Sequence, residues 1–119
     1  MCMKQSSRSA WGFTMIELLA VIGIIGVLAS MAVPSFRIYR SKAFDAEAIF
    51  TLRVVTTAEE AYFVDWTIYK DCDQSTCPLL LPNLELIPVG VILSIASTPT
   101  GYTGLSSHIK GTGEVFTYP

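Results

Sequence analysis

Few residues in this sequence carry chemistry that their neighbours do not explain. Glu17 stands directly before residues 18–36, a run of nineteen positions without a charge. A carboxylate at such a place is costly in an apolar medium and marks a function or a partner. The plainer alternative is that Glu17 marks the interfacial end of a membrane span. Cys72 and Cys77 form a second candidate, in C-x4-C spacing. In an oxidising compartment such a pair reads as a disulfide, and in a reducing one as metal or redox chemistry. Adding His108 would give three zinc ligands. The fourth would have to be Asp71 or Asp73, and no second Cys/His pair follows. His108 is therefore expected at a strand end on the surface. Gly104-Leu105-Ser106-Ser107-His108 is not a G-x-S-x-G elbow, and no phosphate loop or paired-carboxylate site stands out. Neither catalysis nor a cofactor is expected.

The elements that must position these residues follow from composition and periodicity. The chain has 119 residues, 51% apolar and 15% charged, with net charge −2. That excludes a disordered tail, a highly charged coiled coil and a nucleic-acid binder working by bulk charge. Six cations and nine carboxylates follow Phe36, so no specific nucleic-acid partner is expected. As a helix, residues 18–36 would span roughly 28 Å, close to the hydrocarbon thickness of a bilayer. This membrane segment favours the disulfide reading of Cys72 and Cys77. A secretory signal would place its apolar region before the cleavage site. Here residues 1–12, MCMKQSSRSAWG, are polar and end in glycine ahead of that region. Met1 and Met3 are both possible starts.

Residues 37–69 continue as an amphipathic helix. Ile49, Leu52, Val55, Tyr62, Phe63 and Trp66 recur at three- and four-residue steps, with Arg40, Lys42, Asp45, Glu47, Arg53, Glu59 and Glu60 interleaved. One helix from Thr14 to Trp66 would be roughly 80 Å long. The rest of the chain is too short to enclose it. Its first half must be buried in lipid or sister helices, and its second half can pack under a small sheet. Pro34 removes the helix bond to Ser30, which makes either a simple kink or a built-in weak point over 26–34. Gly23, Gly26, Ala29 and Ala32 repeat at i, i+3 and let helices approach closely. Proline and glycine punctuation after Lys70 leaves three strands, near 89–97, 102–108 and 114–118, with loops short enough for an antiparallel meander. Cys72–Cys77 would close a short loop just after the helix.

The segment Gly12-Phe13-Thr14-Met15-Ile16-Glu17-Leu18-Leu19 strongly resembles the prepilin signature of type IV pilins and pseudopilins. Counted from Phe13, the fifth residue is Glu17 and the twenty-second is Pro34, as in that family. Bulky Trp11 before the glycine is a departure. The resemblance implies an α+β fold, the pilin α/β-roll, in which a long N-terminal helix packs against a small antiparallel sheet. It implies a cleaved leader over 1–12, a transmembrane and filament-core helix over 13–36, its amphipathic continuation over 37–69 and a globular head over 70–119. A prepilin peptidase would cut between Gly12 and Phe13 and methylate Phe13. Cutting there creates an α-amino group, mostly cationic at neutral pH, and methylation keeps the charge. Glu17 of a neighbouring subunit would pair with it, setting register more than adding net stability. In resembling filaments the stretch before Pro34 loses helicity on assembly.

The expected function is thus a structural subunit of a type IV pilus. Its partners would be copies of itself in a helical homopolymer, the prepilin peptidase, the assembly platform of the bacterial inner membrane, and membrane lipid before assembly. It would end in an extracellular filament. The alternatives are a type II secretion pseudopilin, a minor or priming pilin, and a membrane-anchored binding domain that never polymerises. Major pseudopilins carry a C-terminal aspartate cluster for calcium, whereas residues 90–119 here hold one acid, Glu114. Aromatics along the helix are placed as in short pilins for which electron conduction has been proposed, but core and inter-subunit packing accounts for them. Three positive charges precede the span and three follow it, so charge does not orient it; the resemblance puts the N-terminus in the cytoplasm.

Overall fold

The computed structural model of the chain describes residues 12–81, 84 and 86–119. The leader over 1–12 lies outside the described residues except for Gly12. Helix α1 spans Met15–Trp66, 52 residues, and continues through Pro34. Around the proline, Ser30 Oγ donates to the Val27 carbonyl (2.7 Å) and Ser35 Oγ to that of Met31 (3.4 Å). The chain divides into two units, before and after the Ser35–Phe36 bond. In the first unit every described residue is exposed, including the whole apolar run up to Ser35. By length and composition α1 suffices to cross a membrane. Leu19, Ala20, Gly23, Ile24, Val27 and Leu28 line a shallow groove along this stretch.

In the second unit α1 buries Asp45, Ala48, Thr51, Leu52, Val55, Thr56 and Glu59, the three- and four-residue steps of one helix face. The helix ends where Thr67 adopts φ 61° and donates its N–H to the Phe63 carbonyl at 2.7 Å. Then come strand β1 (Cys72–Asp73), the one-turn helix α2 (Cys77–Leu80), β2 (Val91–Thr98), β3 (Gly101–His108) and β4 (Phe116–Tyr118). They form one sheet in the order β1-β2-β3-β4. All pairs are antiparallel: Cys72 faces Ile95, Val91 faces His108, Thr98 faces Gly101 and Ser106 faces Phe116. Pro99 and Thr100 make the two-residue turn of the central hairpin.

This is the expected meander, with three differences. The short strand β1 escaped the sequence reading, because two residues hold too little alternation to register as a strand. The central strand begins at Val91 because Val89 and Gly90 form a turn, with Gly90 at φ 102°. The last strand is confined to Phe116–Tyr118.

The core gathers Leu52 and Val55 of α1, Leu93 and Ile95 of β2, Tyr102 of β3, Leu81, and the Cys72–Cys77 pair. Alternation on β2 buries Val91, Leu93 and Ile95 and exposes Ile92, Ser94 and Ala96. At Gly104 a Cβ would come within 2.8 Å of Leu52 Cδ1, so the glycine lets β3 lie close on the helix. The expected apolar face is corrected at Trp66, which is 65% exposed. It belongs to the last turn of α1, past the end of the buried face.

Candidate functional site

The N-terminal end of α1 is built by four consecutive residues. Thr14 and Glu17 form a reciprocal capping box. Glu17 Oε2 accepts the Thr14 N–H at 2.9 Å and the Thr14 hydroxyl at 3.0 Å, while the Glu17 N–H donates back to Thr14 Oγ1 at 3.3 Å. The carboxylate also meets the positive end of the helix dipole. Among the described residues nothing donates to Oε1. Among the described residues, one oxygen is thus fixed by Thr14 and the other has no donor. Sequence reasoning did not assign Thr14 this role, although its T-x-x-E spacing is a recognised helix-start signal. Gly12 and Phe13 precede the helix, with Phe13 84% exposed, and Pro34 lies far along it. Gly12, Phe13, Glu17 and Pro34 therefore mark points on or just before one helix and do not converge on a pocket.

The head holds the remaining candidates. Cys72 and Cys77 are joined in a disulfide, with Cα atoms 4.9 Å apart. The loop between them is organised by Asp73. Its Oδ1 accepts the N–H groups of Ser75 (2.8 Å) and Thr76 (3.0 Å) and both their hydroxyls. These bonds, led by the Ser75 hydroxyl, hold the carboxyl down to about 2. With both sulfurs in the disulfide, neither is a thiolate available to zinc.

His108 corrects an expectation. It ends β3 as predicted but is buried, 5% exposed, not on the surface. Its ring stacks on Phe44 with centroids 4.6 Å apart, and Gly90 leaves room for it: a Cβ there would lie 2.9 Å from the ring. Nδ1 accepts the Lys110 N–H at 3.0 Å, which leaves Nε2 facing Glu47 Oε2 at 3.5 Å. Around the same Phe44, Arg40 and Lys110 place their cations 5.8 and 6.0 Å from the ring centroid. Asp45 and Glu59, two of the charges interleaved with the apolar positions of the helix, are also buried. Asp45 receives the N–H and hydroxyl of Thr112, and Glu59 receives the N–H of Lys70. Their partners lie far along the sequence, where helical periodicity carries no signal for them.

No family model matches the chain, and no solved structure matches it. Relatives of known function do. The type IV wide pilus major component of Thermus thermophilus is 33% identical over 106 residues, 88% of this chain and 79% of that protein. The type II secretion system core protein G of Vibrio cholerae is 32% identical over 117 residues, 92% of this chain and 80% of that protein. A type IV major pilin of Myxococcus xanthus is 38% identical over 60 residues, half of this chain (50%) and 27% of that longer protein. A long apolar-to-amphipathic helix capped by Thr14 and Glu17, a four-stranded antiparallel sheet on its second half, and two relatives matched over most of their length lead to one conclusion: this chain belongs to the family of type IV pilins and type II secretion pseudopilins.

Proposed function

We propose that this chain is a structural subunit of a type IV pilus. A leader over 1–12 is removed between Gly12 and Phe13, and Phe13 is methylated. Before assembly the 13–36 segment of α1 sits in the inner membrane, with the head outside the cytoplasm. The assembly platform then moves the subunit into a helical homopolymer, where sister helices replace lipid around the exposed apolar run. Domains follow as leader, filament-core helix 13–36, amphipathic continuation 37–69 and head 70–119. The single observation that carries this reading is Glu17, capped at Oε2 by its own Thr14 and open at Oε1. In a dry helix bundle the open oxygen suits the cationic amine of a neighbour's Phe13, and an unpaired charge there is heavily penalised. Pro34, with no N–H for the Ser30 carbonyl, is where α1 yields on assembly.

A pseudopilin of a type II secretion system is the second reading, and the Vibrio relative supports it. Against it, residues 90–119 carry one acid, Glu114, in place of an aspartate cluster for calcium.

The test is Glu17→Gln, which keeps shape and hydrogen bonding but not charge. Breaking one partner of a buried pair typically costs ~3–5 kcal/mol, roughly two to four decades in subunit affinity. The expected result is a processed subunit retained in membranes with few or no filaments, read by electron microscopy of sheared fractions beside immunoblots of membranes. Abundant normal filaments from the variant would exclude Glu17 as the register device.

A further inference from the structure

Glu59 is completely buried, 0% exposed, on the face of α1 that supports the disulfide. Its two carboxyl oxygens have unequal surroundings. Oε2 accepts the Lys70 N–H at 3.1 Å. Oε1 lies 3.8 Å from Cys72 Sγ. That sulfur is half of the disulfide and has no hydrogen to donate. An anionic oxygen enclosed without a donor is strongly disfavoured, whereas a protonated Oε1 is itself a donor and can point its hydrogen at the sulfur. Burial raises the Glu59 carboxyl above its usual range. The Lys70 N–H opposes this, and the charges of Asp71 and Glu60 add to it. The other titratable groups nearby are engaged elsewhere: the Tyr69 hydroxyl donates to Glu60 and that of Tyr102 to the Thr56 carbonyl.

Reducing the pair changes the surroundings of Oε1. Cys72 regains a thiol hydrogen 3.8 Å from an oxygen to which, among the described residues, nothing else donates, and the carboxylate form becomes satisfied. We propose that Glu59 and the Cys72–Cys77 pair act as one proton-coupled redox unit, with Glu59 ionised beside the dithiol and protonated beside the disulfide. The oxidant is an external disulfide, R–S–S–R, of the glutathione or oxidoreductase class. Both cysteine S–H bonds and the external S–S bond break, and the internal S–S bond forms. The two cysteines lose two electrons and the external disulfide gains them, leaving as two R–SH. One further proton comes from solvent and ends on Glu59, so hydrogen and charge balance. Because oxidation takes up that proton, acid favours the closed loop. The equilibrium constant against glutathione rises by up to about tenfold per pH unit of acidification, between the two ionisations of Glu59.

The test is equilibration of the full-length protein in detergent with glutathione redox buffers from about pH 5 to about pH 7.5, below most thiol ionisation. Acid quenching and mass-tag alkylation then count the free thiols. Wild type is expected to show an oxidation constant that increases as pH falls, and Glu59→Gln a flat one. Equal slopes in the two proteins, or a flat wild-type profile, would overturn the proposal. An infrared difference spectrum of wild type alone, oxidised minus reduced, tests it without a variant. The carbonyl band of a neutral carboxylic acid should appear on oxidation, and its absence would equally overturn the proposal.

Discussion

Replacing Asp45 with alanine removes the tie between the middle of α1 and the loop after β3, to a residue 67 positions later in the chain. The carboxylate accepts the Thr112 N–H at 3.0 and 3.3 Å through its two oxygens and the Thr112 hydroxyl at 2.8 Å. Two donors are therefore at stake. A hydrogen bond to a charged group contributes about 1.5–3 kcal/mol when both sides are dry. Thr112 is exposed, so water recovers part of each bond and the lower end applies. The expected loss is about 2–3 kcal/mol in total. For a domain the size of the 36–119 unit, 1 kcal/mol moves Tm by about 4–8 °C, so the transition should fall by about 8–24 °C. Near-ultraviolet circular dichroism of the full chain in detergent reads it. Thr112→Val removes only the hydroxyl and should lose about 1 kcal/mol. A Tm within about 3 °C of wild type for Asp45→Ala would refute the tie. Equal losses in the two variants would show that the backbone N–H contributes nothing.

Three further outcomes follow from the same packing. Gly111→Ala drives a Cβ into the Asp45 carboxylate, so it should destabilise the head, and in an Asp45→Ala background most of that loss should vanish, as a double-mutant cycle would reveal. Leu93→Ala empties one of the most buried positions of the core and should cost about 2–5 kcal/mol in a denaturant titration; a loss below about 1 kcal/mol would mean that β2 does not pack as described. Glu59 sets a pH dependence. Its folded-state pKa is raised, so its contribution is complete below the unfolded value near 4.5 and is lost as pH climbs through the folded value. The stability of wild type relative to Glu59→Gln should therefore decline from about pH 4.5 upward, and parallel pH profiles would contradict this.

The long helix was legible because apolar steps and the charge-free run persist over fifty residues, and nothing but Pro34 interrupts them. The hairpin was legible because Pro99 and Gly101 bracket an alternating strand. The Cys72–Cys77 pairing followed once the membrane run fixed the redox setting. What escaped was the polar part of the core. Asp45, Glu59 and His108 look like solvated residues to any reading based on periodicity. Each is buried only because a particular donor or ring arrives from elsewhere: Thr112, the Lys70 N–H and Phe44. Trp66 failed the other way, an apolar residue in phase with the face but one turn beyond what the sheet covers. The capping role of Thr14 was written in its spacing to Glu17, but it was masked by the membrane reading of the acid itself.

The central claim is that this chain is processed before Phe13 and then polymerises. Intact mass spectrometry of filaments sheared from cells expressing it tests both halves at once. The expected subunit is residues 13–119, heavier by one methyl group and lighter by the two hydrogens lost in the Cys72–Cys77 disulfide. A filament subunit that retains residues 1–12, or filaments that do not contain this chain, would contradict it.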